Sequence, residues 1–272
     1  MKLGIFSKIF ADEDLEVAFQ KIKAFGLTNV QFNFANLGLA SLPDTISKED
    51  LNKIQQATER QHVNICAISA TFNTLELDKS KHQANLIGFE TVVKAAKTLH
   101  VPVVTISTGS FNQADFWSPH PDNHTEKAWN YLISTLTPMI SIAEKHGVII
   151  AFEPEQANVI STVEDGIKLI NHFESDNLRI LFDAANIINT KNADNMLETI
   201  KKSIDISKKF IVLAHCKDIL ATTKQVSFAP VGQGNLPLND YLDYLAKVYN
   251  GPVIMHGLEK NDIEIALNYL HK

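Results

Sequence analysis

Eight short runs of apolar and β-branched residues recur along the chain, at 3–6, 29–34, 63–69, 101–107, 148–152, 178–182, 210–214 and 252–257. Their near-continuous apolarity predicts strands buried on both faces, the pattern of a parallel sheet. Between these runs the period lengthens. In "DLEVAFQKIKAFG", Leu15, Ala18, Phe19 and Ile22 share one face at helical spacing, and "EKAWNYLISTLTPMISIAEKHG" repeats the pattern over a longer span. Ser47-x-x-Asp50 and Thr162-x-x-Asp165 signal helix starts, and Gly26 and Gly147 signal helix ends. Eight βα units in 272 residues, near the ~250 typical of such folds, predict a closed (β/α)8 barrel over residues 1–272 as one domain, in preference to an open doubly wound sheet. Gly232 and Gly234 in "VGQGNLP" are only a fragment of the dinucleotide fingerprint and do not point to a dinucleotide.

Charge changes this picture by exclusion. With 25 Lys+Arg against 31 Asp+Glu and no run of like charges, the basic footprint of a nucleic-acid binder is missing, so no nucleic-acid partner is expected. No apolar run approaches the ~20 residues that span a bilayer, and "MKLGIFSKIF" is too short and polar for a signal peptide. A cytoplasmic location follows, with no membrane partner and with a homo-oligomer left open. Cys66 and Cys216 lie in apolar stretches without C-x-x-C spacing and read as free, buried thiols.

In a (β/α)8 barrel the chemistry gathers where the strands end at their C-terminal side. The fifth run ends at Glu153, the sixth at Asp183, the seventh at His215, and the eighth is followed by Glu259. Adjacent strands would bring these four to one mouth. Three carboxylates crowded without a cation would repel, and one would be forced to hold a proton; a divalent metal resolves this. Three oxygen donors and one nitrogen favour Mn²⁺ first, then Mg²⁺ or Co²⁺, over a closed structural zinc, with Zn²⁺ kept as an alternative. Glu155, Asn186, Lys217 and Asp218 flank the four; the first three are candidates to hold substrate. Phe72, Phe111, Phe116 and Trp117 are candidates for the pocket wall.

Over nearly its whole length the chain resembles the sugar phosphate isomerase/epimerase family, xylose isomerase-like TIM barrels that include keto-sugar 3-epimerases, hydroxypyruvate isomerase, inosose dehydratase and endonuclease IV. The similarity rests on "TFNTLELD", "STGSFNQADFWSPHPDNHTEKAW", "GVIIAFEPE", "LRILFDAANII", "LAHCKD", "VGQGNLPL" and "GLE". It implies that Glu153, Asp183, His215 and Glu259 hold one divalent cation and that the two glutamates are also acid and base. Three departures lie in the substrate shell. Asn186 stands where many relatives have His, Glu76 follows "TFN" where a His is frequent, and the Arg that relatives often carry near Phe111 is absent.

The expected chemistry is proton transfer beside a carbonyl: Glu153 and Glu259 remove and return a carbon-bound proton of a small keto-sugar or polyol through a metal-stabilised enediolate. The nearest rival is a dehydratase that expels a β-hydroxyl from an inosose-type substrate on the same site. A sugar-binding barrel without turnover and an endonuclease IV-like repair enzyme follow, the last opposed by charge and by the shortage of histidines at strand ends. The loops after the last two runs offer Lys217, Lys224 and Lys260 but no Arg, so an uncharged substrate is expected.

Overall fold

The computed structural model describes residues 2–270. Eight parallel strands close into a barrel: β1 (Lys2–Phe6), β2 (Asn29–Phe32), β3 (Asn64–Ser69), β4 (Val103–Ile106), β5 (Ile149–Phe152), β6 (Leu178–Asp183), β7 (Ile211–Cys216) and β10 (Pro252–Met255). Each of the eight apolar runs supplies one of them. Around the ring the order is β1-β10-β7-β6-β5-β4-β3-β2, sequence order apart from a hairpin of β8 (Asp218–Ala221) and β9 (Val226–Ala229) that stays outside the barrel. Helices α1 (Leu15–Ala24), α2 (Lys48–Gln61), α3 (Lys79–Thr98), α4 (Glu126–His146), α5 (Val163–Phe173), α6 (Met196–Ser207), α7 (Leu238–Leu245) and α8 (Ile263–Leu270) lie between and after the strands.

The boundary signals act as the residue chemistry requires. Ser47 accepts from the Asp50 amide at 3.0 Å while Asp50 accepts from the Ser47 amide at 3.2 Å, a reciprocal capping box. Thr162 caps α5 through the Asp165 amide, and Gly147 ends α4 at φ +65°, a left-handed geometry that glycine adopts freely.

Two apolar layers hold the fold. The larger packs helices onto the outer faces of the strands. The smaller fills the barrel itself with Cys66, Ala67, Val103, Ala151, Leu181, Leu213 and Ile254. Truncating Leu181 or Leu213 to Ala would cost ~2–5 kcal/mol, because so enclosed a layer cannot collapse onto the void. A Cβ at Gly4 would lie 2.5 Å from the Asn29 carbonyl oxygen and 2.6 Å from Ile254 Cδ1, so only glycine lets β1 approach β2 and β10 so closely. Both cysteines are buried and free, as their apolar surroundings predict.

The sequence reads as a loop over residues 216–237. The structure instead folds β8 (Asp218–Ala221) and β9 (Val226–Ala229) into an antiparallel hairpin outside the barrel. Each of its strands has only four residues and their burial does not alternate, so no period-two signal stands out in the sequence. Among the described residues no helix is long and apolar enough to cross a membrane.

Candidate active site

The parallel ladder decides which strand-end residues meet. Asp183 pairs directly with His215 across β6 and β7, and Glu153 follows Phe152, whose register partner on β6 is Ile180. One ligand atom from each of Glu153, Asp183 and His215 lies within 4.8 Å of the other two. His215 Nδ1 is 3.3 Å from Glu153 Oε1 and 3.9 Å from Asp183 Oδ2.

The ring of His215 is oriented from behind. Gln31, on β2, donates through Nε2 to Thr105 Oγ1 at 3.3 Å, which leaves its Oε1 to accept from His215 Nε2 at 2.7 Å. With the proton on Nε2, a neutral ring presents a bare Nδ1 lone pair to two carboxylates. Nδ1 and Asp183 Oδ2 are both buried without a hydrogen-bond partner. Lone pairs converging in a buried place repel unless a cation or a proton lies between them, so the donor set fits a divalent metal.

Asn186 links the cluster to Lys217. Its Nδ2 donates to Glu153 Oε1 at 2.7 Å, and its Oδ1 accepts from Lys217 Nζ at 2.9 Å. Lys217 also forms an ion pair with Asp183 Oδ2 at 3.3 Å. Burial alone would raise the Glu153 carboxyl; a proton on His215 Nδ1 in the place of a metal ion, with Lys217 beside it, outweighs that and holds the carboxyl well below the usual carboxylate range. Asp183 goes the other way: burial raises it, with Glu153 adding to the rise and Lys217 opposing it. Glu155 borders the same space, and burial together with the Glu153 charge pushes it up to about 8.

Above the cluster opens a cavity of about 520 Å³, bordered among others by Glu153, Glu155, His215, Lys217, Trp117 and Phe228. Of the expected wall residues, Trp117 and Phe116 are there. Phe72 and Phe111 are not: Phe72 is buried in the core, and Phe111 is 7% exposed and packs edge-on against Tyr131 and His120, with centroids 6.1 and 6.2 Å away. Its amide is held by Asn123 at 2.9 Å, which ties this stretch of loop to the core instead of the cavity.

Glu259 also differs from expectation. β10 ends at Met255, and the His256 amide donates to the Cys216 carbonyl at 3.0 Å, carrying the ladder one residue further. Gly257 then turns the chain at φ +67°, Leu258 returns to the core, and Glu259 emerges exposed at the start of a short 3-10 helix, its amide donating to Asp262 at 2.9 Å. It is outside both the cluster and the cavity wall.

The residue that β10 does present is His256. Its ring is stacked on His215 (centroids 4.9 Å apart, planes within 5°), with Phe6 on the stack at 5.2 Å from His256. Burial, with His215 and Lys217 nearby, holds it well below its ordinary value, so the ring is neutral at pH 7. Its Nδ1 is buried without a partner, which leaves Nε2 as the nitrogen offered to the cavity. For His256 and Gln31 alike, the signal was a polar residue inside an otherwise apolar run.

The comparisons with known proteins accord with this architecture. A probable L-ribulose-5-phosphate 3-epimerase of Mycoplasma pneumoniae is 23% identical over 267 residues, covering 96% of this chain and 82% of the relative. The crystal structure of an Escherichia coli 3-keto-D-glucoside 4-epimerase superposes with a TM-score of 0.77 at 14% identity, covering 100% of this chain and 98% of the other. The IOLI protein with a bound zinc atom gives a TM-score of 0.72 at 19% identity, covering 100% and 95%. The family model for xylose isomerase-like TIM barrels matches residues 19–270, and the chain belongs to that family.

Proposed function

We propose that this protein is a divalent-metal-dependent sugar epimerase or isomerase. The observation that carries the reading is the buried convergence of Glu153, Asp183 and His215 beneath a cavity of monosaccharide size, two of its donor atoms lacking a hydrogen-bond partner. The epimerase names of the sequence relative and of a structural neighbour support it, and the neighbour with zinc supports a divalent ion at such a site. Glu153, Asp183 and His215 would hold the metal, and Mn²⁺ is the first ion to test, before Mg²⁺, Co²⁺ and Zn²⁺. A divalent cation there would lower the cost of negative charge on a substrate oxygen beside the reacting carbon.

The chain's own groups supply the proton transfers. Glu153, held ionised, is the base that takes the carbon-bound proton. The carbon–hydrogen electron pair moves toward the carbonyl, giving an enediolate, and return of a proton to the same carbon from the other side inverts it. Glu259, expected in that second role, lies away from the cavity, so we place the second proton carrier at His256: its neutral ring is the base toward the epimer whose proton faces it, and in the opposite direction it gives the carbon a proton first taken from water. β10 and β5 are three strands apart around the ring, so the two groups reach the cavity from different sides. Asn186 fixes the Glu153 carboxylate, and Lys217 and Glu155 border the substrate.

Incubation of Mn²⁺-loaded protein with a panel of ketoses in D₂O tests the reading. The expected result is deuterium at the carbon beside the carbonyl together with the epimeric or isomeric sugar. Absence of both across the panel and across the four metals would reject it.

A further inference from the structure

Barrels commonly take a substrate's phosphate in the loops after the last two strands, where glycine amides form a nest for the anion. This chain has such a nest, and its own carboxylate fills it. The amides of Gly232 and Gly234 donate to Asp218 Oδ2 at 3.0 and 2.9 Å, and those of Ile219 and Leu236 donate to Oδ1 at 2.8 and 3.2 Å. Asp218 is 1% exposed. A Cβ on Gly234 would lie 2.2 Å from Asp218 Oδ1, so the backbone comes this close to the carboxylate only because the residue is glycine. A phosphate could enter only by displacing a buried carboxylate that holds four backbone hydrogen bonds.

The cations near the cavity offer no replacement. Lys217 is committed to Asn186 and Asp183 and lies 4.5 Å from the Phe228 ring centroid. Lys260 pairs with Asp12 and Glu13. Arg60 pairs with Glu16 and Arg179 with Asp176, and the chain has no other arginine. Lys8 alone remains on the cavity border, facing a wall that also carries Glu153 and Glu155.

The mouth is aromatic instead. Trp117, in the segment between β4 and α4, is 49% exposed, and Phe228, on β9 beyond β7, is 62% exposed; both border the cavity. Phe116 braces Trp117 with centroids 4.6 Å apart. β4 and β7 are three strands apart around the ring, so the two faces approach the mouth from different sides. Flat aromatic faces left in water match the carbon–hydrogen face of a sugar ring.

We propose that the substrate is unphosphorylated, a free sugar or a glycoside whose distal end lies against Trp117 and Phe228. The chemistry at the near end rests on the epimerase or isomerase reading above; the charge and shape of the distal end do not.

The test uses the full Mn²⁺-loaded chain and the fluorescence of Trp117, assigned by comparison with Trp117→Phe because Trp129 is the chain's other tryptophan. Titration with a panel of free ketohexoses, with their terminal phosphate esters and with inorganic phosphate should show quenching by a free sugar, binding of its ester weaker by about tenfold or more, and no competition by inorganic phosphate. Phe228→Ala should raise Kd for the free sugar by about tenfold with metal content unchanged. Tighter binding of the ester, or a Kd, read by titration calorimetry for the variants, changed less than about twofold by both Phe228→Ala and Trp117→Ala, overturns the proposal. Binding of free sugars without proton exchange would reject the epimerase reading and leave this one standing. Exchange confined to phosphate esters would do the reverse, and binding of no sugar at all would reject both.

Discussion

The strand ends of β5, β6 and β7 and the end of β10 look alike as sequence and fold differently. At the first three, the candidate residue is within one position of the strand's last residue: Glu153 after Phe152, Asp183 as the last residue of β6, His215 one before the end of β7. The ladder still fixes the backbone there, so the side chain inherits the strand's direction and points into the mouth. At β10 the nearest carboxylate is four residues beyond Met255, with a left-handed glycine in between. The residue that inherits the strand's direction is His256. On the proposed assignment, the rule that chemistry sits at strand ends is counted from the last ladder hydrogen bond, not from the first acidic residue.

The largest effects should come from breaking the β5–β7 side. Asp183→Ala and His215→Ala each remove one of three donors, so elemental analysis should find most of the metal gone, and turnover with it. Glu153→Gln keeps an oxygen for the metal and for Asn186 but loses the base. Turnover should fall by ~10²-fold or more while part of the metal remains, a split that metal analysis and a rate assay on the same sample resolve.

How far the sequence was legible follows from the same contrast. The barrel could be read because each strand is buried on both faces and so is apolar throughout, and the Glu153, Asp183 and His215 positions could be read because they directly continue such runs. Glu259 was misplaced because a single left-handed residue, Gly257, redirects the chain, and one glycine in a sequence does not reveal its φ. Phe111 was misplaced because its burial depends on Tyr131, His120 and Asn123, which are distant in sequence or reach it through side chains. The partnership of Asp218 with Gly232 and Gly234 spans 14 and 16 residues of chain and runs through a hairpin, so neither residue announces the other.

Next in size is the β10 side. If His256 carries the second proton, His256→Gln should lower turnover by ~10- to 100-fold with metal content little changed, since the three-donor cluster is intact. Exchange without inversion is the sharper readout. The variant should still place deuterium on one epimer, the one whose proton faces Glu153, and fail on the other. Equal loss with both epimers would assign His256 to holding the His215 ring instead.

Stability then distinguishes the filled nest from an ordinary loop. Asp218→Asn removes the charge and makes one oxygen a donor facing backbone amides, so it should cost ~1–3 kcal/mol in denaturant unfolding. A surface aspartate such as Asp176, changed the same way, should cost less than ~0.5 kcal/mol.

A gentler probe is pH. Glu155 keeps its proton to about 8 in the folded chain and releases it near its ordinary 4.5 when unfolded. Between these values the folded state binds more protons, so stability falls as pH rises through that window. His256, held neutral when folded, contributes the opposite slope below its ordinary 6.5. The clean interval is therefore about pH 7 to 8, where Tm of chelator-treated protein should decline with pH and Glu155→Gln should flatten the decline. An unchanged slope in that variant would remove Glu155 as its source.

The smallest effect belongs to Glu259, and its smallness is the point. The residue is exposed, and the hydrogen bond at its position is made by its amide to Asp262, an interaction that survives any change of the Glu259 side chain. Glu259→Gln should leave turnover within about twofold and stability within ~0.5 kcal/mol, the range of ordinary surface substitutions. Asp262→Ala, by contrast, removes the acceptor and should cost ~0.5–1 kcal/mol without touching activity. Measured side by side with His256→Gln, the pair separates the two accounts of how β10 serves the mouth. A Glu259→Gln variant that loses turnover and metal together would mean that the chain after Gly257 swings inward when the ion binds, and that the carboxylate, not the imidazole, completes the site.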